Sequence, residues 1–336
     1  MRIPLLVKWL LSFGVSCVAS FGFAQLRFLD RLPQHIFDVA PPSARVVGLP
    51  GNMSYLQRDC RVISTGNLRE RIINTAIQEW AYFGYNIYDL THTRDDNPNY
   101  RRRPWTRPTI AANEAVRVAD SIAGYWSATP DSAWILELQN QSWNARGPAS
   151  RWRNPWSAAF VSWVMCESGL GDSRRFRRAI AHHSYIDQAI KARDSNDVLS
   201  AYYAYDAGEK AIEPGDMLCR GSRPNYQTLD ARRLQIGIGA RTHCDIVVKL
   251  DDVNQQIMVI GGNVRAWVRL KLLPAEINED GLLETARYNG RSIFAHLKLR
   301  ADSVPSNALE QSPTLRSLNC EAKSALVAIA DFLDCS

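Results

Sequence analysis

The spacing of hydrophobic residues changes near residue 200, and this change constrains the fold of the chain more than any other feature. Before it, segments such as TGNLRERIINTAIQEWAYFG (65–84) repeat with helical spacing, and Asn67 with Glu70 forms an N-cap and N3 pair. After it, short runs rich in β-branched residues alternate with turn residues, at 213–221, 243–252 and 255–273. Helices followed by strands predict an α+β fold, with helices packed on a small antiparallel β-sheet.

The N-terminal segment is typical of a secretory signal peptide over residues 1–24. Arg2 and Lys8 are its only charges, and an uncharged apolar run extends from residue 9 to a small residue at 24. The run is short for a membrane span, so we expect no stable span after cleavage, with a retained N-terminal anchor as the alternative. The sequence therefore predicts a periplasmic or secreted protein.

Four regions follow from composition and spacing. Residues 1–24 form the signal peptide, and a Pro-rich lead-in covers 25–66. The α+β domain covers 67–300, and 301–336 contains a linker and a C-terminal helix.

Six of the seven cysteines remain after signal cleavage, which in an oxidising compartment favours disulfides. Cys219 and Cys244 lie on strands that we expect to be adjacent, so we predict that they pair; Cys166 is assigned to the core or to a disulfide. Cys320 and Cys335 flank a helical pattern and would lie about 22 Å apart, too far to pair. No C-x-x-C pair occurs, and no metal or cofactor is predicted.

The charge pattern gives no indication of nucleic-acid binding. The formal net charge of +6 includes two positive charges in the signal peptide. Basic clusters at 101–103 and 174–178 accompany no nucleic-acid motif, so we interpret them as solvated faces. An anionic cell-envelope polymer is the alternative partner of such patches.

Three polar residues stand where acyl-transfer chemistry would need them. Ser157 begins the helix predicted within NPWSAAFVSWVM (154–165), where free N–H groups favour negative charge. His243 opens one strand and Asn263 closes the next, and a hairpin turn centred on Val253 places the two opposite each other. Each residue alone has an ordinary structural interpretation, as a helix N-terminal serine, a structural histidine or a turn asparagine. Their combination indicates a catalytic set.

Three further residues are candidate substrate contacts. Asp245 shares a sheet face with His243 and is a candidate to tune it, although a solvated carboxylate is the simpler interpretation. His182, three residues before Tyr185, is predicted either to line the cleft or to lie on the helix surface. Trp156 is predicted to stack on substrate or to pack in the core.

Several linked motifs resemble a bacterial family, domain-of-unknown-function family 2272. They are PWSAAFVSWVM, the H-x-x-Y of His182–Tyr185, PGDMLCR, HCDIVV and IGGNV, and the resemblance extends from about residue 67 to 300. That family in turn resembles the papain-like cell-wall amidases of the NlpC and CHAP type. The resemblance implies that Ser157 matches the nucleophile, His243 the base and Asn263 the orienting residue, with serine in place of cysteine.

The resemblance implies an exported hydrolase that cleaves amide bonds of peptidoglycan peptides and needs no cofactor. Its expected partner is peptidoglycan or another cell-envelope polymer. A serine hydroxyl cannot be pre-ionised as a cysteine thiol can, so it needs a well-placed histidine, and a neutral asparagine supports imidazolium less than a carboxylate would. Two alternatives remain: an inactive peptidoglycan-binding module, and a serine esterase or acyltransferase.

Overall fold

The computed structural model describes residues 31–63, 66–91, 110–148, 151–221 and 226–318. The predictions of a signal peptide at 1–24, of a basic face at 101–103 and of a C-terminal helix flanked by Cys320 and Cys335 fall outside the described residues.

The helices of the described residues lie before, between and after the strands. The α-helices are α1 (Leu68–Tyr82), α2 (Ala112–Arg117), α3 (Ala119–Ser127), α4 (Ala133–Arg146), α5 (Ser157–Glu167), α6 (His183–Asp194), α7 (Leu229–Arg233), α8 (Ala308–Gln311) and α9 (Pro313–Arg316), and a 3-10 helix covers Pro42–Arg45. The predicted start of α1 is confirmed, because the side chain of Asn67 accepts hydrogen bonds from the backbone N–H groups of Arg69 and Glu70.

Most strands belong to one large sheet. The strands are β1 (Val46–Val47), β2 (Ser54–Tyr55), β3 (Ile87–Asp89), β4 (Tyr202–Tyr205), β5 (Met217–Gly221), β6 (Thr242–Asp251), β7 (Gln256–Val264), β8 (Trp267–Ile277), β9 (Leu283–Thr285) and β10 (Ile293–Leu299). The order in the large sheet is β3-β8-β7-β6-β5-β10-β4, β9 pairs with β8, and β1 pairs with β2 separately. The mixed α+β class is therefore confirmed.

The sheet differs from the small antiparallel sheet that the sequence predicts. It has eight strands, and β3 runs parallel to β8. Strands β3, β4, β9 and β10 lie outside the three predicted runs. The parallel strand β3 is only three residues long, so its sequence has no room for the alternation that identifies a strand.

Both faces of the sheet are covered by apolar side chains. Ile246 and Val248 of β6 belong to the main core, which also contains Phe160 and Trp163 of α5. Val247 points to the opposite face and belongs to a second cluster. A strand buried on both faces explains the continuous apolar run in its sequence.

Helix α5 is buried along its whole length, including its first residue, Ser157. It packs on β7 at Gly262, where an added Cβ would lie 2.5 Å from the Cβ of Phe160. Only glycine therefore allows this approach of the strand to the helix.

The regions flanking the predicted 67–300 domain also contribute to the packing. Residues 308–316, which the sequence assigns to a linker, form α8 and α9, and Leu309 and Leu315 are buried in the main core. In the predicted lead-in, Arg45 is buried and pairs with Glu167 at the end of α5.

Two disulfides connect described residues. The predicted Cys219–Cys244 bond is confirmed, and it joins facing residues of β5 and β6. Cys166 pairs with Cys60 and so ties the end of α5 to the N-terminal segment. Both bonds are compatible with an exported protein. No helix among the described residues is long and apolar enough to cross a membrane.

Candidate active site

Ser157 is the first residue of α5, and its side chain lies at the free N-terminus of that helix. Trp156 is the N-cap residue, and its side chain makes no capping bond. The first intrahelical bond runs from the N–H of Phe160 to the carbonyl of Trp156, so the N–H groups of the preceding turn have no partner within the helix. Ser157 is 6% exposed, which places its hydroxyl at the edge of the buried core.

The hydroxyl of Ser157 and the imidazole of His243 form a hydrogen bond. Ser157 Oγ lies 2.9 Å from His243 Nδ1. His243 lies near the start of β6, and its side chain is 12% exposed. The structure thus brings together the predicted nucleophile and the predicted base, which are 86 residues apart in the chain.

The other nitrogen of His243 bonds to Asp245. His243 Nε2 lies 2.9 Å from Asp245 Oδ1, and the two residues alternate onto the same face of β6. A carboxylate only accepts hydrogen bonds, so it fixes the imidazole proton on Nε2 and leaves Nδ1 free to accept the serine proton. Asp245 is buried, so the sequence-based interpretation of a solvated carboxylate is wrong.

A lysine on β8 completes the environment of Asp245. Lys271 donates a hydrogen bond to Asp245 Oδ2, and both side chains are almost fully buried. Asp245 therefore bonds His243 through one oxygen and Lys271 through the other. Sequence reasoning missed Lys271, although a lysine between two leucines in the strand segment VRLKLL (268–273) was a signal that this position needs a partner.

Asn263 does not occupy the orienting position that the sequence predicts for it. The strand register that would place Asn263 opposite His243 is present further along the hairpin, where Ile246 faces Ile260 and Val247 faces Val259. Beyond Ile260 the strand is irregular, and Asn263 adopts a left-handed φ of 56°. Within the described residues no hydrogen bond joins Asn263 to His243, and the nitrogen that Asn263 was expected to bind is occupied by Asp245.

The charges of the site follow from burial and from the neighbouring charged groups. Burial lowers the pKa of His243 below its usual value, Arg220 and Lys271 lower it further, and Asp245 opposes them. The imidazole is therefore neutral, and able to act as a base, at neutral pH. Burial would raise the pKa of Asp245, but the nearby His243 and Lys271 hold it far below its usual range. Burial lowers the pKa of Lys271 to about 8, although Asp245 favours the charged form.

His182, a predicted substrate contact, lies beside His243 in the interior. The two rings are 5.2 Å apart between centroids. His182 Nδ1 accepts hydrogen bonds from the backbone N–H of Cys244, at 3.2 Å, and from the hydroxyl of Tyr185. Burial, together with the neighbouring His243, lowers the pKa of His182 well below its usual value. The ring is therefore neutral with its proton on Nε2, and Nε2 has no hydrogen-bond partner among the described residues.

Trp156, the third predicted substrate contact, directly precedes the nucleophile in the chain. Its ring is 2% exposed and stacks on Tyr125 with centroids 5.8 Å apart. It also lines a cavity of about 430 Å³, together with Asn263. Trp156 is thus both a core residue and a wall of this cavity.

The comparison with protein-family models identifies the family. The model described as "Uncharacterized protein conserved in bacteria (DUF2272)" matches residues 114–298, more than half of the chain. The chain belongs to this family. No curated protein and no solved structure matches the chain.

Among the residues that the structure describes, no group of three or more His, Cys, Asp or Glu side chains is placed to hold a metal ion. The candidate site consists of Ser157, His243, Asp245 and Lys271, with His182 beside it.

Proposed function

We propose that the protein is a serine hydrolase that cleaves acyl bonds through Ser157, His243 and Asp245. The observation that carries the proposal is the unbroken hydrogen-bonded series from Ser157 Oγ to His243 Nδ1 and from His243 Nε2 to Asp245 Oδ1, with 2.9 Å at each step. A nucleophile within hydrogen-bond reach of a base that a third group orients is the arrangement of activated nucleophiles.

The chemistry proceeds in two halves. His243 Nδ1 takes the proton of Ser157 as Oγ bonds to the carbonyl carbon, and Asp245 stabilises the imidazolium through Nε2–H. The imidazolium then gives its proton to the leaving amine or alcohol as that bond breaks. In the second half, water attacks the acyl-serine, His243 accepts its proton, and the proton returns to Ser157 as the acid is released.

The negative charge on the carbonyl oxygen needs hydrogen-bond donors, and two sources support the proposal. The first turn of α5 has backbone N–H groups with no partner within the helix, at the end where the helix dipole favours negative charge. His182 has a buried Nε2–H group without a partner among the described residues. We assign His182 as a substrate-contacting donor, one of the two roles that the sequence predicts for it.

The substrate class that we propose is the peptide of peptidoglycan, cut at an amide bond. This assignment rests on the resemblance to papain-like NlpC and CHAP amidases, and export to the cell envelope would place the protein beside that polymer. The carboxylate of Asp245 in place of a neutral asparagine supports the imidazolium more strongly, which favours turnover over a site that has lost its chemistry.

The test compares the mature wild-type protein with Ser157→Ala, Ser157→Cys and His243→Ala on purified peptidoglycan, with released peptides followed by mass spectrometry. Release by the wild type and not by the two alanine variants is the expected result. Activity in Ser157→Cys alone would show that the wild-type site, with serine at this position, is inactive. Saturable sedimentation with peptidoglycan, without turnover by any variant, would make the protein a binding module.

An esterase or acyltransferase is the second candidate, and the mainly apolar cavity lined by Trp156, the residue before Ser157, favours it. Esters are easier to cleave than amides, and an apolar cavity suits an apolar acyl group. Hydrolysis of p-nitrophenyl esters, together with labelling of Ser157 by a fluorophosphonate, would separate this class from the amidase. Both readouts should disappear in Ser157→Ala.

A further inference from the structure

The cavity lined by Trp156 and Asn263 has walls of a distinctive composition. We call it the Trp156 cavity, and Trp143 and Trp152 also line it. Branched and small apolar side chains of α2 and α3 complete these walls. At about 430 Å³ the cavity has the size of a small-molecule site. Trp156 immediately precedes Ser157, so one wall of the cavity is continuous in the chain with the nucleophile.

The charged residues of the Trp156 cavity all have the same sign. Arg151, Arg153 and Arg265 line it, and none of the lining residues that the structure describes is acidic. Arg153 and Arg265 are exposed, so their guanidinium groups lie on the solvent side while the apolar walls lie deeper. Arg265 has its nearest described partner in Tyr88, whose hydroxyl accepts a hydrogen bond at 3.2 Å and whose ring lies 4.8 Å from the guanidinium carbon. A neutral phenol does not compensate this charge.

The arrangement of the tryptophans favours a chain over a flat ring as occupant. The rings of Trp143 and Trp152 meet edge to face at 82°, with centroids 5.3 Å apart, so this pair offers no slot between parallel faces. Trp152 also has a buried Nε1–H group without a partner among the described residues. A buried donor without a partner is an expected contact for an acceptor atom of a ligand.

We propose that the Trp156 cavity binds the aliphatic chain of a small amphiphilic carboxylate, with Arg153 and Arg265 holding the anionic end. The apolar walls remove the chain from water, and the two guanidinium groups supply charge-assisted hydrogen bonds at the mouth. The occupant is an acyl-type ligand in which an apolar chain and a carboxylate lie at opposite ends. One part of this inference rests on the proposed function, namely that the cavity receives the acyl group of a substrate that Ser157 cleaves. Binding of the ligand itself does not depend on it.

The direct test measures binding and requires no turnover. Decanoate, decanol and decyltrimethylammonium are titrated into the mature protein by calorimetry, and quenching of tryptophan fluorescence gives a second readout at the cavity wall. We expect decanoate to bind about 25-fold to 100-fold more tightly than decanol, since each of the two charge-assisted bonds contributes a factor of about five to ten. The cation is expected to bind most weakly. Equal binding of all three, or no binding of decanoate, would overturn the proposal.

Two charge variants locate the site. Arg153→Gln and Arg265→Gln are each expected to weaken decanoate binding about fivefold to tenfold and to leave decanol binding unchanged. Arg174→Gln is the matched control, because Arg174 is also an exposed arginine but lies outside the cavity wall. An equal loss in the control, or no loss in either cavity variant, would count against the assignment.

Ser157→Ala separates this inference from the proposed function. The variant should bind decanoate as the wild type does, whatever the outcome of the hydrolysis assays. Failure of hydrolysis with decanoate binding intact would remove the proposed reaction and leave the ligand site. Hydrolysis without decanoate binding would remove the ligand site and leave the proposed reaction.

Discussion

The ammonium group of Lys271 donates a hydrogen bond to Asp245 Oδ2, the carboxylate oxygen that His243 does not use. The pair is buried, so a charge that lost its partner would remain in a medium of low dielectric constant. Asp245 therefore has two roles: it orients the imidazole, and it compensates the charge of a buried cation.

Replacement of Lys271 by methionine should raise the pKa of His243. The positive charge of Lys271 lowers that pKa, while Asp245 raises it, so removing the lysine leaves only burial and Arg220 to oppose the carboxylate. We also expect a loss of about 3–5 kcal/mol in the free energy of unfolding, because Asp245 remains buried with one partner fewer. NMR titration of the His243 ring protons measures the first effect and urea unfolding the second.

Lys249→Met is the control for this experiment. Lys249 lies on β6, the strand of His243, and is also buried in an ion pair, with Glu310. The Lys249→Met substitution should destabilise the protein without changing the pKa of His243. A fall in that pKa in Lys271→Met would contradict the assignment.

Asp245→Asn should reduce the turnover number of any hydrolase activity by about 10³-fold to 10⁴-fold, because an amide can fix the wrong imidazole tautomer and cannot stabilise the imidazolium. The pH profile supplies a second readout. Asp245 raises the pKa of His243, so its loss lowers that pKa, and the acid limb of kcat should move to lower pH. An acid limb that moves to higher pH would argue against Asp245 as the partner of the base.

Asn263→Ala distinguishes the two candidates for the orienting role. Since Asn263 lies on the cavity wall and makes no described hydrogen bond to His243, we expect a fall in kcat of less than about tenfold and an acid limb that does not move. A loss as large as that of Asp245→Asn would restore Asn263 as the orienting residue.

Gly261 provides the space that Asp245 occupies. A Cβ at this position would overlap Asp245 Oδ1, the atom that bonds His243. Gly261→Ala should therefore displace the carboxylate, lower activity at least about tenfold and destabilise the fold by about 1–3 kcal/mol. Gly239→Ala is the matched control, because nothing lies within 4 Å of its Cβ position. Equal kcat values for the two variants would show that Asp245 tolerates displacement.

Local patterns were sufficient to predict several elements of this molecule. The N-cap of α1 follows from Asn67, and the Cys219–Cys244 bond follows from two strands that had to be neighbours. The meeting of Ser157 with His243 was expected from the family resemblance, while the local patterns located only the helix start and the strand start that carry them.

The third member of the site could not be predicted from the same patterns. Hairpin arithmetic assumes an unbroken register, but β7 becomes irregular after Ile260, and this irregularity turns Asn263 away. Asp245 was visible on the face of His243, yet its burial depends on β8, which brings Lys271 to it. Such a pairing is a tertiary contact, and single-strand alternation contains no information about it.

The two disulfides should contribute unequally to stability. Cys60 and Cys166 are 106 residues apart in the chain, whereas Cys219 and Cys244 are 25 apart. The chain-entropy model gives about 4–5 kcal/mol for the long loop and about 3–4 kcal/mol for the short one. Paired Cys→Ala variants, compared by urea unfolding under non-reducing conditions, measure the difference. A larger loss for the Cys219–Cys244 variant would mean that native contacts, and not loop length, set the order.

His182→Ala should lower kcat about 10²-fold to 10³-fold while changing KM little, because a donor to the oxyanion acts mainly in the transition state. His182→Gln retains an N–H donor and should recover part of the loss. The acid limb of the pH profile should stay near that of the wild type, since His182 is neutral and is not the base. His183→Ala is the control, because His183 is the next residue and is half-buried. A fall in kcat that His182→Gln does not relieve, accompanied by a lower melting temperature, would assign His182 a purely structural role through Tyr185 and Cys244.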